Sequence, residues 1–181
     1  MQYHITDDAK EHIIPLLKER FPWLLLGLGG GILATIIVSK FENVLSANLS
    51  LAFFFPVIVY MADAIGTQTE NIYVRNLSKF KDNFFKYLFK EILVGLTFGL
   101  IFGIILGLFA KYWLGSDQIG FTVGVAMFIN GTIAPIVALS VSELLFKERS
   151  DPALGAGPFT TVIQDLLSIL IYLTVAFLVI L

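Results

Sequence analysis

Asp63, Glu70 and Asp165 are carboxylates embedded in long apolar runs. If those runs lie in lipid, each charge costs roughly 2.5–3.5 kcal/mol at the helix centre, so it must face a partner, water or an ion. Their neighbours are rich in oxygen. In Met61-Ala62-Asp63-Ala64-Ile65-Gly66-Thr67-Gln68-Thr69-Glu70, the residues Asp63, Thr67 and Glu70 recur at i, i+4 and i+7 and share a helical face. Thr161, Asp165, Ser168 and Tyr172 share another face, with Gln164 beside it, and a third run offers Asn130 and Thr132. Carboxylate, hydroxyl and amide oxygens suit hard cations such as Mg²⁺, and thiolate ligands are excluded because the chain has no cysteine. Mg²⁺ sheds its water reluctantly, so one or two carboxylates on a wet path suffice to hold it. The expected metal-contacting set is Asp165, Asp63, Thr161, Thr67, Glu70 and Asn130. Competing structural roles exist: Glu70, near the inner end of the second span, can snorkel or pair with Arg75, and Asp63 and Asp165 can serve as buried hydrogen-bond anchors.

These residues need helices that cross a bilayer. The chain has 181 residues, of which 57% are hydrophobic and 14% charged. Soluble domains carry roughly 25% charged residues, so this composition indicates a membrane-embedded chain. A net charge of −2 argues against nucleic acid as a partner. About 20 apolar residues cross a membrane. The charge-free runs predict five spans, at residues 21–39, 48–74, 88–110, 118–146 and 153–181, in an all-α polytopic membrane protein. With the N-terminus inside, the inner segments hold ten basic residues (Lys10, Lys18, Arg20, Arg75, Lys79, Lys81, Lys86, Lys90, Lys147 and Arg149) and the outer ones two, Lys40 and Lys111. Basic residues accumulate in cytoplasmic loops, so the expected arrangement in a cell membrane is N-terminus cytoplasmic and C-terminus outside. Residues 1–20 read as a short interfacial helix capped by Thr6 and bent at Pro15, and residues 21–181 as the transport domain. The acidic start does not read as a cleaved signal peptide, and His4 and His12 read as solvated surface residues.

Gly95, Gly99, Gly103 and Gly107 recur every four residues and predict a close helix contact, within the chain or with a second copy. Pro56 and Pro135 lie inside predicted spans. Each frees a backbone carbonyl one turn earlier, which either kinks the helix or offers a cation ligand. Asp151-Pro152 predicts the start of the last helix, and Gly155-Ala156-Gly157-Pro158 is expected to interrupt it seven residues before Asp165.

In order along the chain, Arg20-Phe21-Pro22-Trp23-Leu24-Leu25, Phe41-Glu42, Pro56, Gly66-Thr67-Gln68-Thr69 with Val74-Arg75, Glu91 with Gly95, Asn130, and finally Asp151-Pro152-Ala153-Leu154, Gly157-Pro158-Phe159 and Thr160-Thr161 ahead of Asp165 resemble the membrane domain of the MgtE magnesium transporter family, itself similar to the solute carrier 41 proteins. The resemblance covers residues 20–181. It implies five transmembrane helices, a homodimer in a lipid bilayer, and a Mg²⁺ path at the dimer interface lined by the second and fifth helices. It also implies that Asp165 takes the role of the fifth-helix Asp that binds the cation. Two departures stand out. Met61-Ala62-Asp63-Ala64 replaces the family's Met-Gly-Gly-Asn, losing an Asn and gaining an acid one position earlier. Residues 1–20 are also too short for the family's cytosolic sensing region.

The resulting expectation is a divalent-cation channel or transporter, not an enzyme, carrying Mg²⁺ with Mn²⁺ or other divalent ions undistinguished. The alternative on the same scaffold is a proton- or Na⁺-coupled carrier. An intramembrane aspartyl protease with Asp63 and Asp165 as its dyad is disfavoured, because neither acid has a Gly-x-Gly-Asp context, and it would require the two carboxylates within hydrogen-bond reach of each other.

Overall fold

The computed structural model describes residues 12–77, 83–147 and 152–181, and these are helical throughout apart from short connections. The helices are α1 (Ile13–Lys40), α2 (Glu42–Ala47), α3 (Phe55–Leu77), α4 (Phe84–Leu114), α5 (Asp117–Lys147) and α6 (Pro152–Ile180), with a 3₁₀ segment, Leu49–Phe54, leading into α3. Five stretches are long and apolar enough to cross a membrane: Ile13–Lys40, Leu49–Asn76, Phe84–Leu114, Asp117–Leu145 and Gly157–Ile180. These match the five runs expected from sequence, and the chain is an all-α, multi-pass membrane protein.

Helix bounds exceed the charge-free runs because charged residues at helix ends can sit at the bilayer interface. Thus α1 continues without a break from Ile13 through Pro15 and Pro22. Residues 1–11 of the expected interfacial segment lie outside the described residues. The second span opens on Asn48, whose Oδ1 accepts from the Ser50 N–H at 3.1 Å. Pro56 then falls in the first turn of α3, where its missing donor removes no helical bond. The kink or ligand carbonyl expected at Pro56 is therefore not formed within the span, and the local irregularity is the 3₁₀ turn just before it.

α6 is the hub. It packs on α1, α3 and α5, whereas α4 packs almost entirely on α5. The α4–α5 pair is an antiparallel hairpin: Gly115 ends α4 at φ 65°, in the left-handed region glycine favours, and the Ser116 hydroxyl caps α5 by accepting from Ile119 N–H. The glycine stripe faces α5. A Cβ at Gly95, Gly99, Gly103 or Gly107 would fall 2.9, 2.6, 2.7 and 2.9 Å from the carbonyl oxygens of Gly131, Phe128, Gly124 and Gly120. The close contact predicted by the spacing is thus intrachain. The Gly131 carbonyl, freed by Pro135, points into this seam and not toward an ion path.

A core of Leu51, Phe54, Ile58, Val123, Ala126, Tyr172 and Ala176 fills the end of the bundle near the 3₁₀ turn. There the Tyr172 O–H donates to the Leu51 carbonyl at 2.7 Å. The outer faces of α1 and α4 expose Leu24, Leu28, Ile32, Ile104, Ile105 and Leu108, as lipid contact requires.

Candidate cation site

α6 presents two polar faces, and they look in different directions. Thr161 and Asp165, one turn apart, open on a cavity of about 490 Å³. Its other wall is α1, through Trp23, Leu24, Gly27, Gly30, Gly31 and Ala34. The glycines of α1 make this wall recede. Gly27 and Gly31 have open space where a Cβ would be, and Gly30 meets Val162 so closely that a Cβ would lie 2.5 Å from its Cγ1. Gly30 thus sets the α1–α6 approach while its neighbours leave room for the cavity. Pro158 lines the same space.

α3 reaches this face through Asp63, whose Oδ1 accepts from the Thr161 hydroxyl at 3.1 Å. Asp63 also lies within electrostatic range of Asp165, although no hydrogen bond joins the two carboxylates. The shared-proton geometry an aspartyl dyad would need is therefore not formed between them. What is formed is a half-buried group of two acids and one hydroxyl, drawn from α3 and α6, beside the cavity between α1 and α6.

The remaining expected ligands sit elsewhere. Thr67 is exposed on α3. At 100° per residue it stands a full step from the buried Gly66. Glu70 is buried and faces Thr160 of α6, so it neither snorkels nor turns to Arg75. Asn130 is buried in α5, where its Nδ2 donates to the Ala126 carbonyl at 3.0 Å and, at 3.5 Å, to the Ser168 carbonyl. It ties α5 to α6 and does not border the cavity. Sequence reasoning missed the contribution of α1: the glycines at 27, 30 and 31 were visible, but their spacing did not say which neighbour they faced. It also missed two bonds near the other end of α3, Thr69 to Glu91 at 2.9 Å and Tyr73 to Glu143 at 2.7 Å. Among the described residues no three acids or histidines converge to form a metal site within one chain.

Fold and site together define a polytopic helical membrane protein with one acid, Asp165, on a cavity between two long apolar helices and a second, Asp63, bonded to Thr161 beside it. Residues 55–175 match the MgtE family, described as divalent cation transporters, and the chain belongs to that family. It is 31% identical over 175 residues to the magnesium transporter MgtE of Bacillus subtilis (strain 168), a match covering 95% of this chain and 38% of that protein. It is 32% identical over 175 residues to the magnesium transporter MgtE of Enterococcus faecalis, covering 94% and 38%. With the Thermus thermophilus protein of the same name, identity is 30% over 167 residues, covering 90% and 37%. The chain spans under two fifths of the length of these relatives.

Proposed function

We propose that this chain moves a divalent cation, Mg²⁺ foremost, across a cell membrane as a channel or transporter, with Asp165 as the principal ligand and Asp63 as a second acid. The observation that carries the reading is the meeting of Asp165, Thr161 and Asp63 beside a cavity of about 490 Å³ inside a bundle of membrane-spanning helices. Family membership supports the class of ion. So do the relatives, whose names specify magnesium. The donor set is all oxygen, and a hydrated Mg²⁺ needs few protein ligands. Thr67, Glu70 and Asn130 complete the expected polar set, but their positions argue for supporting roles.

The proposed assembly is a homodimer with its ion path between copies, lined by α3 and α6. One subunit brings two half-buried acids together, Asp165 lining the cavity and Asp63 bonded to Thr161 beside it, and a two-fold axis would double them. The exposed face of α3 that bears Thr67 and Gln68 is polar, unlike the apolar faces of α1 and α4, which supports its placement at a subunit contact or along water. Residues 21–181 form the transport domain in this reading, with residues 1–20 leading into it on the cytoplasmic side.

Mg²⁺ uptake into dye-loaded proteoliposomes tests the reading. Asp165→Asn keeps shape and removes charge. It is expected to lower flux at least about tenfold, equivalent to roughly 1.4 kcal/mol of ion stabilisation, with reconstitution unchanged. Unaltered flux in that variant would overturn the assignment of Asp165.

A further inference from the structure

The second polar face of α6 points away from the cavity, into the junction of α3, α5 and α6. Thr160, Gln164 and Ser168 recur there at i, i+4 and i+8, and are 3%, 1% and 0% exposed. Gln164 Oε1 and Ser168 Oγ are enclosed with no hydrogen-bond partner. α3 supplies the opposing wall. Gly66 leaves the space that Gln164 fills, since a Cβ there would lie 3.2 Å from Gln164 Oε1 and 3.6 Å from the Ala134 carbonyl oxygen of α5. One turn along α3 stands Glu70, 8% exposed. Its carboxyl group faces the Thr160 hydroxyl without reaching good hydrogen-bond geometry. The pairs Gly66–Gln164 and Glu70–Thr160 follow from the antiparallel register of the two helices. One turn is about 6 Å of rise, short enough for side chains from both levels to meet.

The junction thus gathers a carboxylate, a hydroxyl, an amide oxygen and a backbone carbonyl. No basic side chain among the described residues is bonded to Glu70. An enclosed acceptor without a donor, beside a carboxylate without a cation, is an arrangement that costs free energy unless something positive fills it. We infer that this junction binds a small monovalent cation of the Na⁺ type, held by the Glu70 carboxylate, the Thr160 hydroxyl and the Gln164 amide oxygen.

Charge and space select the ion. One carboxylate balances one positive charge, and the next acid, Asp63, acts only at longer range. Mg²⁺ demands near-octahedral geometry and keeps several waters, which suits it poorly to a junction whose polar side chains are only 0–8% exposed. A monovalent ion accepts neutral oxygens for the rest of its shell. The site is separate from the Asp165 cavity and does not depend on that acid. Its occupant would bind α3 to α6 from within the subunit.

The test is thermal unfolding of the purified protein in detergent as NaCl replaces choline chloride at constant ionic strength, with equilibrium dialysis of ²²Na⁺ against the wild-type protein as a second measurement. The wild type is expected to gain melting temperature saturably, on the order of 2–4 °C, and to retain one Na⁺ per chain. Glu70→Gln and Gln164→Ala are each expected to lose that gain, while Asp165→Asn retains it. Should a variant fail to fold, the dialysis result on the wild type still decides. Absence of both the shift and retained ²²Na⁺ overturns the inference. So does a shift that survives Glu70→Gln, one that Asp165→Asn abolishes, or one that Mg²⁺ reproduces in place of Na⁺. The flux assay on Asp165→Asn reports on the transport reading independently.

Discussion

The Thr161–Asp63 bond joins α3 to α6 at the cavity, and a single methyl-for-hydroxyl exchange isolates it. Thr161→Val keeps the branched shape and removes the donor that Asp63 Oδ1 accepts. A hydrogen bond to a charged group contributes about 1.5–3 kcal/mol, so the variant should melt several degrees lower, and Asp63 should be freer to turn toward Asp165. Its Mg²⁺ flux is expected to fall less than that of Asp165→Asn, because the charge remains. Equal losses in the two variants would show that Thr161 contacts the ion itself instead of positioning Asp63. This bond was half legible in the sequence. The period of 3.6 residues put Thr161 and Asp165 on one face and Asp63 near the face of Glu70, but it carries no information on which helix comes opposite. Hence Ser168 and Tyr172, assigned to the Asp165 face, turn inward, and Glu70 meets Thr160 instead of the cavity. Asn130 shows the same limit: an amide in an apolar run signals a need for partners, and those partners are the carbonyls of Ala126 and Ser168.

Between helices, the decisive feature is backbone contact. Four glycines of α4 lie against four carbonyls of α5, so any side chain at these positions must push the hairpin apart. Gly103→Val is expected to destabilise the protein by about 1–3 kcal/mol, read as a lower melting temperature in detergent. Gly27→Ala on α1 has open space and should change stability little. A Gly103→Val protein as stable as the wild type would mean that α4 and α5 do not pack as described. Spacing alone revealed this element, because a four-residue glycine period has few other uses. The prolines were less informative. Pro135 does free a carbonyl, but that oxygen, Gly131's, is committed to the glycine seam, so Pro135→Ala should leave flux near the wild-type level. The short α2 and the 3₁₀ turn carry no long periodic signal, and the sequence reading does not anticipate them.

At the scale of the whole molecule, the proposed topology of five spans puts the two ends of the chain on opposite faces of the bilayer, with the distribution of basic residues as the argument for which is inside. The spans were legible because nothing but length and apolarity is needed to cross lipid. Their mutual arrangement, with α6 at the hub and α1 closing the cavity, was not, since it depends on side-chain fit between segments far apart in sequence. Orientation can be decided with little background, because the chain lacks cysteine. Ser46→Cys lies in the connection between the first two spans, and Lys86→Cys near the start of α4, both exposed. If the segments that hold ten of the twelve basic residues are cytoplasmic, as proposed, a membrane-impermeant thiol reagent added to intact cells should label Cys at 46 and spare Cys at 86 until the cells are opened. The reverse pattern would invert the proposed topology. It would also put the Glu91 and Glu143 end of the bundle at the outer face, leaving the cavity and its acids where they are but reversing the side from which an ion meets them first.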